Sequence, residues 1–184
     1  RPPPESYAIL KDIVKFGNRH AGAAKRGLAV DRLARLLSKR GLETEKVSFE
    51  SPDPRTGKMW PMTNIVARFR PEASCRFLLG SHFDARHEAE MDPDPARKTK
   101  PIAGANDSGS GVAVLVALAS RFKVTVPKGV GVDVVLFDGE EMGYPDVGGY
   151  CAGSRQFAGM LAAAAGSPSG KEDGRPSGTW RLGA

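Results

Sequence analysis

Two short apolar segments, residues 76–80 and 132–137, flank a longer apolar segment, residues 109–122, and this order constrains the fold more than any other feature. The short segments have the length of strands, and the long segment has the length of a helix. A strand, a helix and a second strand in succession indicate an α/β sheet with at least one parallel crossover. Phe77, Leu78 and Leu79 are contiguous, which predicts a strand covered on both faces.

Periodic segments elsewhere in the chain predict further layers around this unit. Apolar residues at helical spacing predict helices over Glu5–Phe16, Ala24–Arg40 and Ser154–Ala164. Strands are predicted over Leu42–Phe49 and Asn64–Phe69. These elements form an α/β sandwich, in which the chemistry gathers at the carboxyl ends of the strands.

The length of 184 residues allows one α/β domain with a buried core and is small for two. We assign residues 1–164 to this domain. Residues 165–184 are rich in Gly, Ser and Pro and cannot bury a core, so we predict a low-complexity, disordered tail. No apolar run approaches the roughly 20 residues that a membrane helix needs, so we expect no membrane partner.

The net charge of +6 raises the question of nucleic-acid binding. Lys and Arg are scattered along the chain, and the aromatic residues do not alternate with them as a stacking platform would require. We therefore expect a mixed solvated surface and no nucleic-acid partner. The two cysteines, Cys75 and Cys151, match no cysteine-rich zinc motif and are predicted to be separate thiols.

Three short segments that carry polar side chains follow predicted strands or open the apolar helix. Residues 80–84 follow the first apolar strand, residues 104–111 open the helix, and residues 137–143 end the second apolar strand. Because functional groups in α/β sheets gather at the carboxyl ends of strands, we expect these segments to lie together. Their imidazole and carboxylate groups suit a divalent cation.

Each residue of these segments also has an interpretation without a metal. Asp107 at a helix start either caps the helix or reaches outward to a cation. Glu140 and Glu141 are either both solvated or divided between a metal and the water beside it. His82 is either structural or a zinc ligand that Asp84 orients.

The other two histidines have no assigned chemistry. His20 follows the first predicted helix, and we expect it to interact with the carboxyl end of that helix. His87 lies in the polar loop Arg86–Ile102, and we expect it to be exposed.

The joint order of the segments resembles the zinc peptidases of family M28, which includes bacterial aminopeptidases and the related glutaminyl cyclases. The resemblance rests on His-x-Asp at residues 82–84, Asn-Asp-Ser-Gly-Ser-Gly at residues 106–111 and Asp-Gly-Glu-Glu at residues 138–141. It implies a three-layer sandwich with a mostly parallel mixed sheet, incomplete at the C-terminus. Further matching segments are residues 17–20, 64–67 and 151–158.

The resemblance also implies a role for each matching residue. His82, Asp107 and Glu141 match the metal ligands for one or two Zn²⁺ ions, and Asp107 matches the carboxylate that bridges them in two-zinc members. Glu140 matches the general base, and Asp84 matches the acid that supports His82. Glu140 and Asp84 are thus the catalytic candidates.

The implied activity is metal-dependent removal of residues from peptide N-termini, as in an aminopeptidase. The near alternative is a glutaminyl-peptide cyclotransferase, which forms pyroglutamate. A third possibility is an inactive fragment or a binding module. Peptide or protein N-termini are the expected partners, and the family leads us to expect a secreted or periplasmic protein.

The resemblance breaks towards the end of the chain. Members of the family have a further acidic ligand and a His ligand downstream, whereas this sequence has no His after His87. After Leu161 its only acids are Glu172 and Asp173, to which we assign no ligand role. We therefore expect a truncated or frame-shifted sequence that binds zinc weakly and has little activity alone.

Overall fold

The computed structural model describes residues 4 to 166, and its strands form one mixed sheet. Four strands are described: β1 (Glu43–Pro52), β2 (Met59–Phe69), β3 (Cys75–His82) and β4 (Val130–Phe137). They lie in the order β1-β2-β4-β3. The pairs β1–β2 and β2–β4 are antiparallel, and the pair β3–β4 is parallel. The predicted parallel crossover is thus confirmed, and it joins β3 to β4.

Helices cover both faces of the sheet. The helices are α1 (Glu5–Val14), α2 (Arg26–Ser38), α3 (Gly111–Ala119), α4 (Phe122–Thr125) and α5 (Ala152–Gly166). Buried residues of α1, α2 and α3 pack together with the sheet in the main core. Helix α5 contributes to a second cluster. This arrangement confirms the predicted three-layer α/β sandwich.

Alternation along the central strands divides the core between the two faces. On β4, Val134 and Leu136 belong to the main core, whereas Val135 packs in the second cluster with Phe157 of α5. Successive strand residues point to opposite faces, which accounts for this division. Asp133 of β4 is fully buried, and Arg76 of β3 donates to both of its carboxylate oxygens, at 2.7 and 2.8 Å. The bidentate pair satisfies the buried charge.

Strand β3 is more open than its sequence predicts. The side chains of Phe77 and Leu78 are 61% and 45% exposed. Among residues 4–166, β3 pairs with β4 alone, so it is the outermost strand of the described sheet. The prediction of a strand covered on both faces is therefore wrong for this part of the molecule, because an apolar run does not distinguish a central strand from an edge strand.

The apolar crossover helix is shorter than predicted. Instead of one helix over residues 109–122, the chain forms a turn at residues 105–110, then α3, then the short α4. Asp107 within this turn has φ −102° and ψ 101°, which lies outside the helical region. We call residues 105–110 the Asp107 turn.

The predicted tail of residues 165–184 lies outside the described residues, apart from the last two residues of α5. Within the described part of the chain, no helix has both the length and the apolar character needed to cross a bilayer.

Candidate active site

The parallel pairing of β3 with β4 brings the predicted segments to one edge of the sheet. His82 is the last residue of β3 and lies in register with Phe137, the last residue of β4. The Phe83 N–H donates to the Phe137 carbonyl at 2.9 Å and continues the pairing. Residues 138–143, which we call the double-Glu loop, follow directly. The two strand ends therefore meet as the sequence predicts.

His82 lies among three carboxylates. Its Nε2 is 2.8 Å from Asp107 Oδ1, and its Nδ1 is 3.3 Å from Asp84 Oδ1 and 4.0 Å from Glu140 Oε2. Burial of the ring opposes protonation, but the hydrogen bond with Asp84 and the surrounding negative charges raise the pKa of His82 overall. The imidazole thus links the first segment to the other two.

Asp84 fixes the backbone that carries both glutamates. Its buried carboxylate accepts the N–H of Glu140 at 3.2 Å and the N–H of Glu141 at 2.9 Å. The same carboxylate contacts the ring of His82. Asp84 therefore contacts His82 and also holds the backbone of the double-Glu loop, which the sequence alone did not suggest.

The two glutamates differ in exposure. The side chain of Glu140 is about one-third exposed, whereas that of Glu141 is largely buried. Burial raises the pKa of Glu141 to about 7, and the negative charges of Asp107, Glu140 and Asp84 add to this effect. A cation beside these carboxylates would reverse it. The alternative in which both glutamates are simply solvated does not describe Glu141.

Asp107 presents its carboxylate outward from its turn. Its side chain is mostly exposed and contacts His82. Gly104, which precedes the turn, has no side chain that could cap it, and Ser110 before α3 makes no side-chain cap either. Asp107 also precedes a cis peptide bond to Ser108. The outward-facing alternative therefore describes Asp107 better than a helix cap.

The chemistry of this donor set fits zinc, because zinc binds imidazole nitrogen and carboxylate oxygen. The His82–Asp107 contact of 2.8 Å is shorter than the roughly 3.3 Å between two ligands of a tetrahedral zinc ion. The two side chains are therefore paired with each other in this structure. Within residues 4–166, no three His, Cys, Asp or Glu side chains are already spaced so that they could bind one metal ion together.

Arg19 connects two segments of the site through its guanidinium group, and the sequence alone did not indicate this role. This fully buried arginine donates to the carbonyls of Phe83 at 2.6 Å, Ala103 at 2.7 Å and Gly104 at 2.9 Å. It therefore ties the chain after His82 to the start of the Asp107 turn. Arg19 lies within a segment that matches the family, but its sequence position does not reveal which carbonyls it contacts.

Cys151 contacts the candidate base, which the sequence also did not suggest. Its Sγ lies 3.5 Å from Glu140 Oε1, and its N–H donates to the Glu140 carbonyl at 3.1 Å. Burial and the negative charge of Glu140 raise the pKa of the Cys151 thiol, which keeps it protonated. Both cysteines are free, as predicted.

The positions of His20 and His87 differ from the two predictions made for them. The His20 ring does not cap α1; it packs against Trp60, with ring centroids 5.7 Å apart, and against His87, at 4.8 Å. His87 is half-buried rather than exposed and also contacts Tyr144. The start of the loop Arg86–Ile102 contacts these rings through His87, and a polar composition does not predict such a contact.

Comparison with known proteins assigns the chain to a family. The sequence profile of peptidase family M28 matches residues 64–168, which is more than half of the chain. The chain belongs to peptidase family M28. This match confirms the resemblance and includes His82, Asp107 and both glutamates.

Solved structures of M28 type share the fold over most of this chain. A glutaminyl cyclase of Porphyromonas gingivalis is 36% identical with a TM-score of 0.78, and the match covers 84% of this chain and 54% of that one. A Zn-dependent exopeptidase of Parabacteroides distasonis is 30% identical with a TM-score of 0.77, covering 86% and 57%. A leucine aminopeptidase precursor of Bacteroides thetaiotaomicron is 27% identical with a TM-score of 0.78, covering 86% and 58%.

This M28 chain spans little more than half the length of these structures. The comparisons support the predicted enzyme class, a zinc-dependent peptidase or a glutaminyl cyclase-like protein.

Proposed function

We propose that this chain forms one side of a zinc centre that acts on the N-terminal residue of peptides. Asp107 and Glu141 would hold the metal, and His82 would either bind it as well or orient Asp107. The observation that carries the proposal is the meeting of His82, Asp107 and the double-Glu loop at one edge of the sheet. Bound there, zinc supplies Lewis acidity, which polarises a substrate carbonyl.

Glu140 would be the group that moves the proton. Its N–H is fixed by Asp84, and its partly exposed carboxylate lies 4.0 Å from the His82 ring. A positioned carboxylate of this kind accepts a proton from the attacking group and later delivers it to the leaving nitrogen. In a peptidase the attacking group is water. In a cyclase it is the substrate's own N-terminal amine, and ammonia leaves.

Two observations favour the cyclase. Several of the solved structures that resemble this chain are glutaminyl cyclases, with identities from 27% to 36%. In addition, Nε2 of His82 pairs with Asp107, which is the arrangement expected where His82 orients Asp107 instead of binding a second zinc. This pairing suits a centre with one metal ion.

Aminopeptidase activity, which the sequence alone placed first, stays the second candidate. It is supported by the likeness to a Zn-dependent exopeptidase and to a leucine aminopeptidase precursor. Peptides that begin with Gln and with Leu separate the two. Ammonia release above the level of a Glu140→Gln control supports the cyclase, and release of a free amino acid supports the peptidase.

Zinc titration by calorimetry tests the metal centre itself. We expect weak but measurable binding to the wild-type chain, the same affinity in Glu140→Gln and an affinity lower by about tenfold or more in Glu141→Ala. This pattern is expected if Glu141 is a metal ligand and Glu140 transfers the proton without binding the metal. Equal affinity in all three proteins would contradict the proposal and favour a binding module.

A further inference from the structure

Arg86 lies four residues after His82, and its buried guanidinium packs against the double-Glu loop. Its Nη1 donates to the Glu141 carbonyl at 2.9 Å and also to the Gly143 carbonyl. The same nitrogen lies 3.8 Å from Oε2 of the Glu141 side chain. One nitrogen of Arg86 thus touches both the backbone and the carboxylate of the proposed metal ligand.

Asp84 holds the same stretch of backbone through the opposite groups. It accepts the N–H groups of Glu140 and Glu141, whereas Arg86 donates to the carbonyls of Glu141 and Gly143. A carboxylate and a guanidinium two residues apart therefore fix the donors and the acceptors of one loop. Hydrogen bonds to charged groups of this kind are about twice as strong as neutral ones.

Arg86 is itself held by groups outside the double-Glu loop. Its Nε donates to Glu90 Oε1 at 2.5 Å, and its carbonyl accepts from Asn18 Nδ2 at 2.6 Å. The guanidinium also lies over the rings of Tyr144 and Tyr150, at 5.4 and 5.8 Å from their centroids. The side chain is therefore preorganised and does not depend on Glu141 for its position.

We propose that Arg86 is a positioning residue that, together with Asp84, fixes Glu141 for metal binding. This inference rests on the proposed zinc centre. A metal ligand must be held within about 0.5 Å of its working position, and contacts to the N–H groups alone leave the carbonyl side of the loop free. Arg86 fixes that side by donating to the carbonyls of Glu141 and Gly143.

Amide hydrogen exchange, measured by NMR on the full chain, tests the positioning role without metal. We expect Arg86→Gln to speed exchange of the Glu140 and Glu141 amides by about tenfold relative to amides of β2 and β4. Arg70→Gln is the matched control, because Arg70 also donates to backbone carbonyls, those of Val126 and Val130, but at the opposite end of β4. The inference is wrong if the two glutamate amides exchange no faster in Arg86→Gln than in Arg70→Gln.

Zinc affinity supplies the second readout. We expect Arg86→Gln to weaken zinc binding by about tenfold, Arg86→Lys to recover part of the loss and Arg70→Gln to have no effect. A wild-type chain that binds no zinc contradicts the proposed function, and the exchange result then still decides the role of Arg86. Faster exchange with unchanged zinc affinity would overturn the link to metal binding.

Glu90→Gln is a milder variant for the case in which Arg86→Gln does not fold. It leaves Arg86 in place and removes the charge that holds its Nε. We expect faster exchange of the same two amides, by a smaller factor than in Arg86→Gln. Unchanged exchange in Glu90→Gln, with Arg86→Gln unfolded, would count against the inference.

Discussion

At the scale of single residues, the environment of Glu140 gives Cys151 a distinctive reactivity. Burial and the Glu140 carboxylate raise the pKa of the Cys151 thiol, whereas Cys75 is exposed. The thiolate is the form that reacts with alkylating agents. We therefore expect iodoacetamide at pH 8 to label Cys75 before Cys151, and Glu140→Gln to speed labelling of Cys151 by about threefold or more.

Mass spectrometry of the labelled peptides measures both rates in one sample, with Cys75 as the internal control. Glu140→Gln removes a negative charge beside the thiol, which lowers the pKa of Cys151 and raises its thiolate fraction. Cys151 labelling that is as slow in Glu140→Gln as in the wild type would contradict the contact between the two side chains.

His20 makes stability depend on pH. Burial, and next the neighbouring His87, lower the pKa of His20 to about 4. Between about pH 6.5 and pH 4 the folded chain therefore binds fewer protons at His20 than the unfolded chain, so the free energy of unfolding falls as the pH falls. We expect His20→Phe to reduce this loss by about 1 kcal/mol, since partial exposure screens the effect.

Urea denaturation at pH 7 and at pH 5 measures the effect of His20→Phe. Other titrating groups are shared by the two proteins, so the difference between their pH dependences reports His20. Identical pH dependence in wild type and variant would show that His20 is as easily protonated in the folded chain as in the unfolded chain.

Sequence reasoning found the residues of the site that follow strand ends. The meeting of His82, Asp107 and the two glutamates was predictable because a strand, a helix and a strand in succession indicate a parallel crossover, and the resemblance to the family supplied their expected roles. Arg19, Arg86 and Cys151 were missed because their contacts are with backbone carbonyls or with a side chain of another loop. Such contacts depend on loop conformations, for which sequence periodicity gives no signal.

At the scale of elements, the double-Glu loop depends on a glycine at its second residue. Gly139 has φ +67°, and a Cβ there would lie 2.5 Å from Met62 Sδ. Gly57 has a similar φ of +70° with nothing within 4 Å of its missing Cβ, so it is a matched control. We expect Gly57→Ala to cost about 1 kcal/mol of stability from backbone strain and Gly139→Ala about 2–4 kcal/mol.

The two alanine variants are compared by urea denaturation of the whole chain. The excess cost of Gly139→Ala reflects crowding against Met62, since the strain of a positive φ is common to both positions. Equal costs would mean that the Met62 side chain moves aside freely and that the start of the double-Glu loop is not tightly packed.

The helices and strands were predictable because their periodicity is local, but their ends and the openness of β3 were not. Strand β2 begins at Met59, five residues earlier than predicted, because it pairs with β1 along the whole of β1. The turn at Asp107 is held by tertiary contacts, since Arg19 donates to the carbonyls of Ala103 and Gly104 before it and Ser108 Oγ donates to the Asp84 carbonyl. Local propensity does not report such contacts.

At the scale of the whole molecule, we expect the edge of β3, which is unpaired among residues 4–166, to promote self-association of the chain. Unpaired strand edges with exposed apolar residues favour self-association. Burying one phenylalanine is worth about 2 kcal/mol, so we expect Phe77→Thr to raise the concentration at which the chain associates by about tenfold or more. The residue is 61% exposed on β3.

Sedimentation velocity over a concentration series measures this association. Val124→Thr is the control, because Val124 is also highly exposed but lies on α4, away from the edge of β3. Equal association of Phe77→Thr, Val124→Thr and wild type would show that the edge of β3 is not the surface through which copies meet.

We propose that one edge of the sheet holds a zinc ion between Asp107 and Glu141. Anomalous scattering at the zinc edge, from crystals of the chain grown with zinc, locates the ion directly. We predict a peak about 2 Å from a carboxylate oxygen of each residue. Zinc found only elsewhere, for example between His20 and His87, with Asp107 still paired to His82, would contradict the proposed zinc centre.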